Sequence, residues 1–170
     1  MIQFRDGFYV DVRTEDRSRT TISYQAGILL EMKTRVERRA FLRVYDGKLW
    51  YYAAVTDLSA LQKTLDGLYD AATPNEKILD DPIVRRFERN RDTVMRFAEC
   101  SVRDISAKEK QALLLSYLPL LSEDGCVTMP QGTYLDRNSL YRFQSSLGAD
   151  ITYDYQTCGL SLSFSMANVQ

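Results

Sequence analysis

The sequence of 170 residues contains no histidine. Histidine is the commonest general base near neutral pH and a frequent zinc ligand, so its absence excludes serine and cysteine triads of the usual kind and most zinc sites. Cysteine is scarce as well: Cys100, Cys126 and Cys158 are widely separated and form no C-x-x-C pair. This spacing predicts neither a metal knuckle nor a redox motif, and we expect reduced thiols in a reducing compartment.

Long apolar runs and a strong excess of charge of one sign are also missing. No stretch approaches the length of a transmembrane helix, and the N-terminus, MIQFRDG, has no apolar signal core. A formal net charge of −1 argues against electrostatically driven binding to nucleic acid or to a membrane surface. We therefore expect a cytoplasmic protein with neither nucleic acid nor membrane as a partner.

The composition that remains is that of an ordinary soluble globular protein, with 45% hydrophobic and 26% charged residues. The length fits one domain, or two small ones that share a core. The pattern of strands and helices predicts an α+β fold with largely antiparallel sheets and flanking helices.

The most informative stretch, Ala40 to Leu58, reads as a hairpin followed by a helix. Alternating residues lead to Asp46-Gly47, which predicts a two-residue turn with positive φ at both positions. The returning strand is predicted over Leu49 to Val55, and Thr56-Asp57 begins a helix because such side chains cap free N–H groups.

Shorter strands are predicted before this hairpin, so that five strands joined locally form an antiparallel meander. The polar residues Glu15 to Ser18 are read as a turn, Gly27 as a tight turn, and Thr34 to Arg39 as a charged connection. The predicted strands cover Phe8 to Thr14, Arg19 to Gln25 and Ile28 to Lys33.

Three helical segments follow. Leu58, Leu61, Leu65, Leu68, Tyr69 and Ala72 recur at helical spacing and predict a stripe that covers one face of the sheet, ended by Thr73-Pro74-Asn75. Asp81-Pro82 predicts a weaker second helix, while Val94 to Val102 is open between helix and strand. Ser106 and Glu109 form a capping box for a helix that Pro119 ends or kinks.

The chain then returns to strands, with a hairpin tip at Cys158-Gly159. Leu160, Leu162, Phe164 and Met166 are expected to face inward because they alternate with serines. These strands are predicted over Cys126 to Met129, Leu140 to Ser145, Ile151 to Thr157 and Leu160 to Ala167. We divide the sequence into a hairpin-rich sheet with a helix (1–75), a connecting segment (76–101) and a helix followed by strands (102–170), and expect it to be a fragment of a longer protein.

Several of these features together resemble the N-terminal part of the TldD/PmbA family, whose members are also called modulators of DNA gyrase. The resemblance extends from about Phe8 to Ala167. It is carried by short motifs: Asp11-Val12-Arg13, the turn at Gly27, Leu42-Arg43-Val44 with Gly47, Ala53 before the capped helix, the Ser106 helix with Lys110, and Ser145-Ser146-Leu147-Gly148.

The resemblance implies a parent protein that is a cytoplasmic metallopeptidase or its metal-free partner subunit. In active members the zinc ligands lie downstream, on an H-E-x-x-x-H helix and in the C-terminal domain. Because this chain has no histidine, none of those ligands can be carried over to it. We expect no catalytic, cofactor-binding or metal-binding residue in this chain, and zinc would belong to the parent. The implied partners are the remainder of the parent polypeptide, a second subunit in a homo- or heterodimer, and a peptide substrate in the assembled enzyme.

The candidate site residues within the chain have structural interpretations that we favour. The acidic pairs Glu15-Asp16, Asp80-Asp81 and Glu123-Asp124 lie in predicted turns, where turn or cap chemistry explains them. Arg43 could bind a peptide carboxylate, but an arginine in a strand more often faces solvent or pairs with an acid on a neighbouring strand. The aromatic run Trp50-Tyr51-Tyr52, with Tyr45, could stack on nucleic acid, although packing is favoured.

Two classes of function remain open. The first is a non-catalytic scaffold and substrate-chamber segment of a TldD/PmbA-like protein, and we prefer it. The second is a stand-alone binding or assembly module that adds a peptide to a sheet edge.

Overall fold

The computed structural model describes residues 2–121 and 125–167. One mixed sheet of six strands has the order β3-β2-β1-β5-β6-β4, and two α-helices accompany it. The α+β prediction is confirmed. Neither helix has the length and apolar character needed to cross a bilayer within the described residues. The elements are β1 (Tyr9–Gln25), β2 (Ile28–Tyr45), β3 (Trp50–Val55), α1 (Leu61–Ala71), β4 (Arg91–Val94), α2 (Ala107–Tyr117), β5 (Val127–Ser145) and β6 (Asp150–Met166).

The first three strands form the predicted meander, but with fewer and longer strands. The predicted turn Glu15 to Ser18 is wrong, since β1 runs through it, and the charged connection Thr34 to Arg39 lies inside β2. Charge pairing explains the difference: Arg39 Nε donates to Glu15 Oε2 and Arg38 Nε to Asp16 Oδ2, both at 2.7 Å. Polar residues that read as a turn are thus held in neighbouring strands.

The turn at Gly27 is confirmed, with positive φ at Ala26 (48°) and Gly27 (78°). The hairpin that joins β2 to β3 is also present, but the prediction of a two-residue turn at Asp46-Gly47 is wrong. Tyr45 pairs with Trp50, so the loop has four residues and β3 begins one residue after Leu49. Only Gly47 in this loop has positive φ, because the Asp46 carboxylate organises the turn by accepting hydrogen bonds from the N–H groups of Lys48 and Leu49.

The helix after the hairpin begins as predicted. Asp57 accepts a hydrogen bond from the Ser59 N–H, one 3-10 turn (Leu58–Ala60) follows, and α1 continues to Ala71. Its buried residues Leu61, Leu65 and Tyr69 belong to the predicted stripe. They pack against the inward side of the sheet, on Phe8, Val10, Val12, Ala40, Leu42 and Val44.

The prediction of a weaker second helix at Asp81-Pro82 is wrong. Asp81 accepts a hydrogen bond from the Ile83 N–H, as a cap should, but only one 3-10 turn (Val84–Arg86) follows. Val84 is the single buried residue of that turn, so no apolar stripe supports a longer helix. The open segment Val94 to Val102 contains the end of β4, which pairs with β6 in parallel, and then no further strand or helix in the described chain.

The Ser106 capping box is confirmed, and α2 ends at Tyr117, two residues before Pro119. In the last third of the chain, β5 and β6 are each one continuous strand, so the hairpin tip at Cys158-Gly159 is wrong. The chain instead turns at 146–149, where Gly148 has φ of 91°. Leu160, Leu162, Phe164 and Met166, predicted to face inward, are all exposed, although Leu162 lies on the α2 side of the sheet, where its Cδ2 would be 3.3 Å from a Cβ on Gly132.

The described residues separate into two compact units, each built from several stretches of chain. Unit 1 comprises the residues up to Asp16, Glu37–Arg96 and Leu140–Asp154; unit 2 comprises Arg17–Val36, Phe97–Ser139 and the residues from Tyr155 onward. The division of the sequence at residues 75 and 101 stays a prediction.

Candidate functional site

In unit 1, the face of the sheet opposite α1 carries polar and aromatic side chains. One end of this face is covered: Tyr9 stacks on Phe87 with ring centroids 4.4 Å apart, and Trp50 meets both rings edge-on. Ile78 and Val84 complete this small cluster. Beyond it the face is open, and we call the open part the aromatic–arginine face.

The Asp11–Arg43 pair lies at the border between the covered and the open part. Arg43 Nε donates to both Asp11 oxygens at 3.0 Å, and Nη2 donates to Oδ2. The Asp11 side chain is 0% exposed and that of Arg43 21%. The hydrogen bond to Asp11 raises the pKa of Arg43, and burial followed by the Asp11 charge raises the pKa of Tyr9. Arg43 therefore completes a buried ion pair, with its guanidinium 4.8 Å from the centre of the Trp50 ring.

Aromatic pairs border the open part on both sides. Phe41 and Tyr52 stack with ring centroids 5.9 Å apart, and Tyr141 and Tyr153 stack at 5.0 Å. Phe41, Tyr52 and Tyr153 are exposed. Exposed rings at this density are typical of a surface that contacts another molecule.

Arg13 is held more loosely than the neighbouring arginines that the structure describes. Arg39 is held by Glu15, and Arg142 makes two hydrogen bonds to Asp150 at 2.8 and 2.9 Å. Arg13, in contrast, donates no hydrogen bond to any residue that the structure describes. Its Nε is 3.8 Å from Asp11 Oδ1, and its guanidinium is 5.5 Å from the centre of the Phe143 ring.

These side chains border a groove with a volume of about 900 Å³. Such a volume, with an apolar lining and a few charged groups, is typical of ligand-binding clefts. A carboxylate of a bound molecule could pair with Arg13 while its apolar parts lie on the rings. The groove is lined by residues 13–15, 39–41, 54–56, 141–143, 151 and 153.

The residues of the chain do not fit the zinc that the family resemblance implies for the parent. Among the described residues, no group of three or more cysteine, aspartate and glutamate side chains could hold a metal ion. Cys100, Cys126 and Cys158 form no disulfide there, and no such metal-binding group includes them. We derive no catalytic step through a metal from this chain.

The acidic pairs have structural roles where they can be described. Glu15 and Asp16 pair with arginines of β2, in a strand rather than in the predicted turn. Asp80 accepts a hydrogen bond from Arg85 at 2.7 Å, and Asp81 caps the turn that follows it. Glu123-Asp124 lies outside the described residues.

Arg43 and the aromatic run also have structural surroundings. Arg43 pairs with an acid on the neighbouring strand, which is the interpretation favoured from the sequence. Tyr45, Trp50 and Tyr52 stack on one face of the sheet, whereas Tyr51 lies on the other and donates a hydrogen bond to Asp46.

Sequence reasoning missed the aromatic–arginine face itself. The sequence assigns Arg13 only to a family motif and gives no local signal for Phe143, Tyr141 and Tyr153. The signal that could have found them is period-two alternation: Arg13 and Glu15 on β1 and Arg39, Phe41 and Arg43 on β2 share one face. This alternation is visible only when each strand is read as continuous.

Unit 2 contains a buried polar network under α2 whose members bond to one another within the described part of the chain. Lys110 Nζ lies 2.7 Å from Asp136 Oδ2, and the two side chains are 5% and 2% exposed. Tyr134 donates to the same oxygen at 2.8 Å, and the Thr20 N–H donates to Oδ1 at 3.1 Å. Burial, together with this hydrogen bond, raises the pKa of Tyr134. The network joins α2 to the sheet.

Comparison with known proteins agrees with the resemblance read from the sequence. Residues 10–72 match the family model described as PmbA/TldA metallopeptidase domain 1. The resemblance to the N-terminal part of the TldD/PmbA family is confirmed over these residues. No curated protein matches the chain in sequence.

Three solved structures have a similar fold. They are a proposed modulator of DNA gyrase from Bacteroides thetaiotaomicron (14% identity, TM-score 0.73), another from Thermotoga maritima (18%, 0.68), and TldE from Thermococcus kodakarensis (11%, 0.71). The alignments cover 94%, 92% and 94% of this chain but only 37%, 35% and 36% of those chains. The chain thus spans little more than a third of the structures that it resembles.

Proposed function

We propose, on the premise that residues 10–72 carry the first domain of the TldD/PmbA family, that this chain is the non-catalytic N-terminal segment of a TldD/PmbA-like protein. In this proposal it is a scaffold that forms part of the wall of a substrate chamber. The parent would be a zinc peptidase or its metal-free partner subunit, cytoplasmic and dimeric, and its substrate an extended peptide.

The aromatic–arginine face is the observation that supports this role. It combines exposed rings with the guanidinium of Arg13, which approaches Asp11 only to 3.8 Å, while Arg39 and Arg43 are held in closer ion pairs. An extended peptide offers the matching chemistry, since apolar side chains can lie on the rings and a carboxylate can meet Arg13. Nothing in such a surface requires this segment to carry the reacting groups.

The test is peptide cleavage by the full-length parent with zinc present. We expect Phe41→Ala, Tyr153→Ala and Arg13→Gln each to raise KM by roughly three- to tenfold, with kcat nearly unchanged, because they remove contacts made before and during the reaction alike. Leu79→Ala provides the control, since Leu79 is exposed and lies outside the groove. An unchanged KM for all three variants would contradict the chamber-wall role.

The 170-residue chain is assayed beside the full-length parent. Amide hydrolysis needs an activated nucleophile, so we expect no cleavage by the short chain. Cleavage that persists in homogeneous short chain with a chelator present would contradict the non-catalytic assignment. Inactivity of both proteins would favour the metal-free partner subunit.

The alternative function is a stand-alone module that binds a peptide at a sheet edge. It is supported by β2, of which only Ala40–Tyr45 pairs with β3, while Ile28, Leu30 and Val36 are exposed. A reading frame that continues past Gln170 into a metal motif would favour the scaffold, whereas a stop codon there would favour the module. Neither proposal includes nucleic acid or membrane as a partner.

A further inference from the structure

In unit 2, arginines from neighbouring strands meet on the sheet face opposite α2. Arg17 and Arg19 are two residues apart on β1, and Arg137 lies on β5, the next strand in the sheet. Thr157 belongs to β6, on the far side of β5. These residues, with Leu135 and Asp136, line a pocket with a volume of about 230 Å³.

The pocket is cationic at Arg19 and Arg137 because the carboxylate of Asp136, which also lines it, is engaged elsewhere. Asp136 is followed by Arg137 in the same strand, so the two side chains point to opposite faces. The Asp136 carboxylate is held on the α2 side by Lys110, Tyr134 and the Thr20 N–H. It therefore does not neutralise the guanidinium groups across the sheet.

Arg137 is the unusual member of this set. Its Nε is buried and has no hydrogen-bond partner among the described residues, and its guanidinium lies 5.7 Å from the centre of the Tyr155 ring. Arg19 likewise makes no hydrogen bond or ion pair within residues 2–121 and 125–167. A buried donor without an acceptor is costly and uncommon in folded proteins, so an acceptor supplied by a ligand is the simplest compensation.

We propose that this pocket binds a small oxyanion, a carboxylate or phosphate group, between Arg19 and Arg137. The forked N–H groups of arginine match the paired oxygens of such groups, and the Thr157 hydroxyl offers a further donor. The pocket accepts one group of this size rather than an extended chain. This inference does not depend on the proposed peptidase relationship, because the oxyanion could belong to a free phosphate or to a peptide.

The experiment titrates the protein with inorganic phosphate at constant ionic strength, with chloride as the balancing salt. Binding is followed through the NMR signal of the Arg137 Nε–H and through the thermal unfolding midpoint. Acetyl-diglycine with a free C-terminus and its amidated form are titrated in the same way. A response to phosphate alone identifies a phosphate site, and a response to the free but not the amidated peptide identifies a carboxylate site.

Arg137→Gln separates binding from folding. We expect it to weaken binding of the oxyanion at least tenfold, while the midpoint without ligand stays the same or rises because the unpaired buried donor is gone. Lys63→Gln makes the same change in charge on the exposed side of α1 and should leave binding within twofold. If Arg137→Gln does not fold, Arg19→Gln at an exposed position of β1 should show the same loss of binding.

Equal responses of the wild-type protein and both arginine variants would overturn the proposal, because binding would then not involve these side chains. The proposal would also be overturned if neither phosphate nor the free peptide carboxylate shifts the NMR signal of the Arg137 Nε–H.

Discussion

The buried carboxylate of Asp11 depends on one side chain for most of its compensation. Arg43 supplies three hydrogen bonds, while Arg13 approaches only to 3.8 Å. A carboxylate with no exposed surface pays a large desolvation penalty unless such a partner is present. The pair fixes β1 against β2 at the edge of the aromatic–arginine face, so it sets the position of that face.

We predict that Arg43→Leu lowers the free energy of unfolding by about 3–5 kcal/mol, because it leaves Asp11 charged, buried and without its main partner. Adding Asp11→Val should restore much of the loss, because the unpaired charge is then removed. Arg38→Leu is the matched control: Arg38 is 64% exposed and its partner Asp16 23%, so a cost below about 1 kcal/mol is expected. Urea denaturation measures all of these variants, and equal costs for Arg43→Leu and Arg38→Leu would contradict the prediction.

At this scale the sequence allowed the kind of interaction to be predicted, but not the partner. An arginine flanked by apolar residues in a strand indicates a cross-strand pair, and this was favoured for Arg43. Which acid meets it depends on the register between β1 and β2. That register could not be derived while Glu15 to Ser18 was read as a turn.

At the scale of elements, the two strand-internal glycines differ in what surrounds them. A Cβ on Gly132 of β5 would lie 2.5 Å from Leu118 Cδ2 and 3.1 Å from Leu114 Cδ1, because the end of α2 approaches the strand closely there. A Cβ on Gly159 of β6 would meet nothing within 4 Å. Neither glycine has positive φ. Gly132 is therefore required for packing, and Gly159 is not.

We predict that Gly132→Val lowers the free energy of unfolding by about 1–3 kcal/mol through overpacking against α2. Gly159→Val should leave it unchanged or raise it by up to about 1 kcal/mol, because a β-branched residue suits an open strand position. Chemical denaturation of both variants provides the measurement. A destabilised Gly159→Val variant would point back to the hairpin tip that the sequence suggested at this glycine.

The elements that could be predicted are those with a local cause. The capping box of α2, the Asp57 cap of the 3-10 turn that leads into α1 and the turn at Gly27 each depend on a few adjacent residues, and all three are confirmed. The errors concern polar clusters and a glycine inside long strands. Such residues signal a turn only where no neighbouring strand pairs with them, and that condition is non-local.

At the scale of the whole molecule, unit 2 leaves apolar side chains uncovered. Leu113, Leu115 and Tyr117 of α2 are exposed although they belong to a helix that packs on the sheet. Leu162 and Phe164 of β6 are exposed too, at 37% and 50%. The alternation with serines correctly marks one apolar face of β6, but the sequence could not reveal that no element within residues 2–121 and 125–167 buries its side chains. The proposed partner that would cover it is the remainder of the parent polypeptide.

Substitution of these residues should therefore affect stability in the full-length parent but not in the short chain. We predict that Phe164→Ser in the 170-residue chain leaves the midpoint of urea unfolding nearly unchanged and reduces binding of a hydrophobic dye, because the ring is half exposed there. In the parent the same change should lower the midpoint, since a buried phenylalanine contributes about 1.5–3 kcal/mol through the apolar area that it removes from water. Leu49→Ser, at a 61% exposed position in the loop of unit 1, should be neutral in both proteins. If Phe164→Ser is equally harmless in the parent, the rest of the polypeptide does not cover this face, and the stand-alone module becomes the better account of the chain.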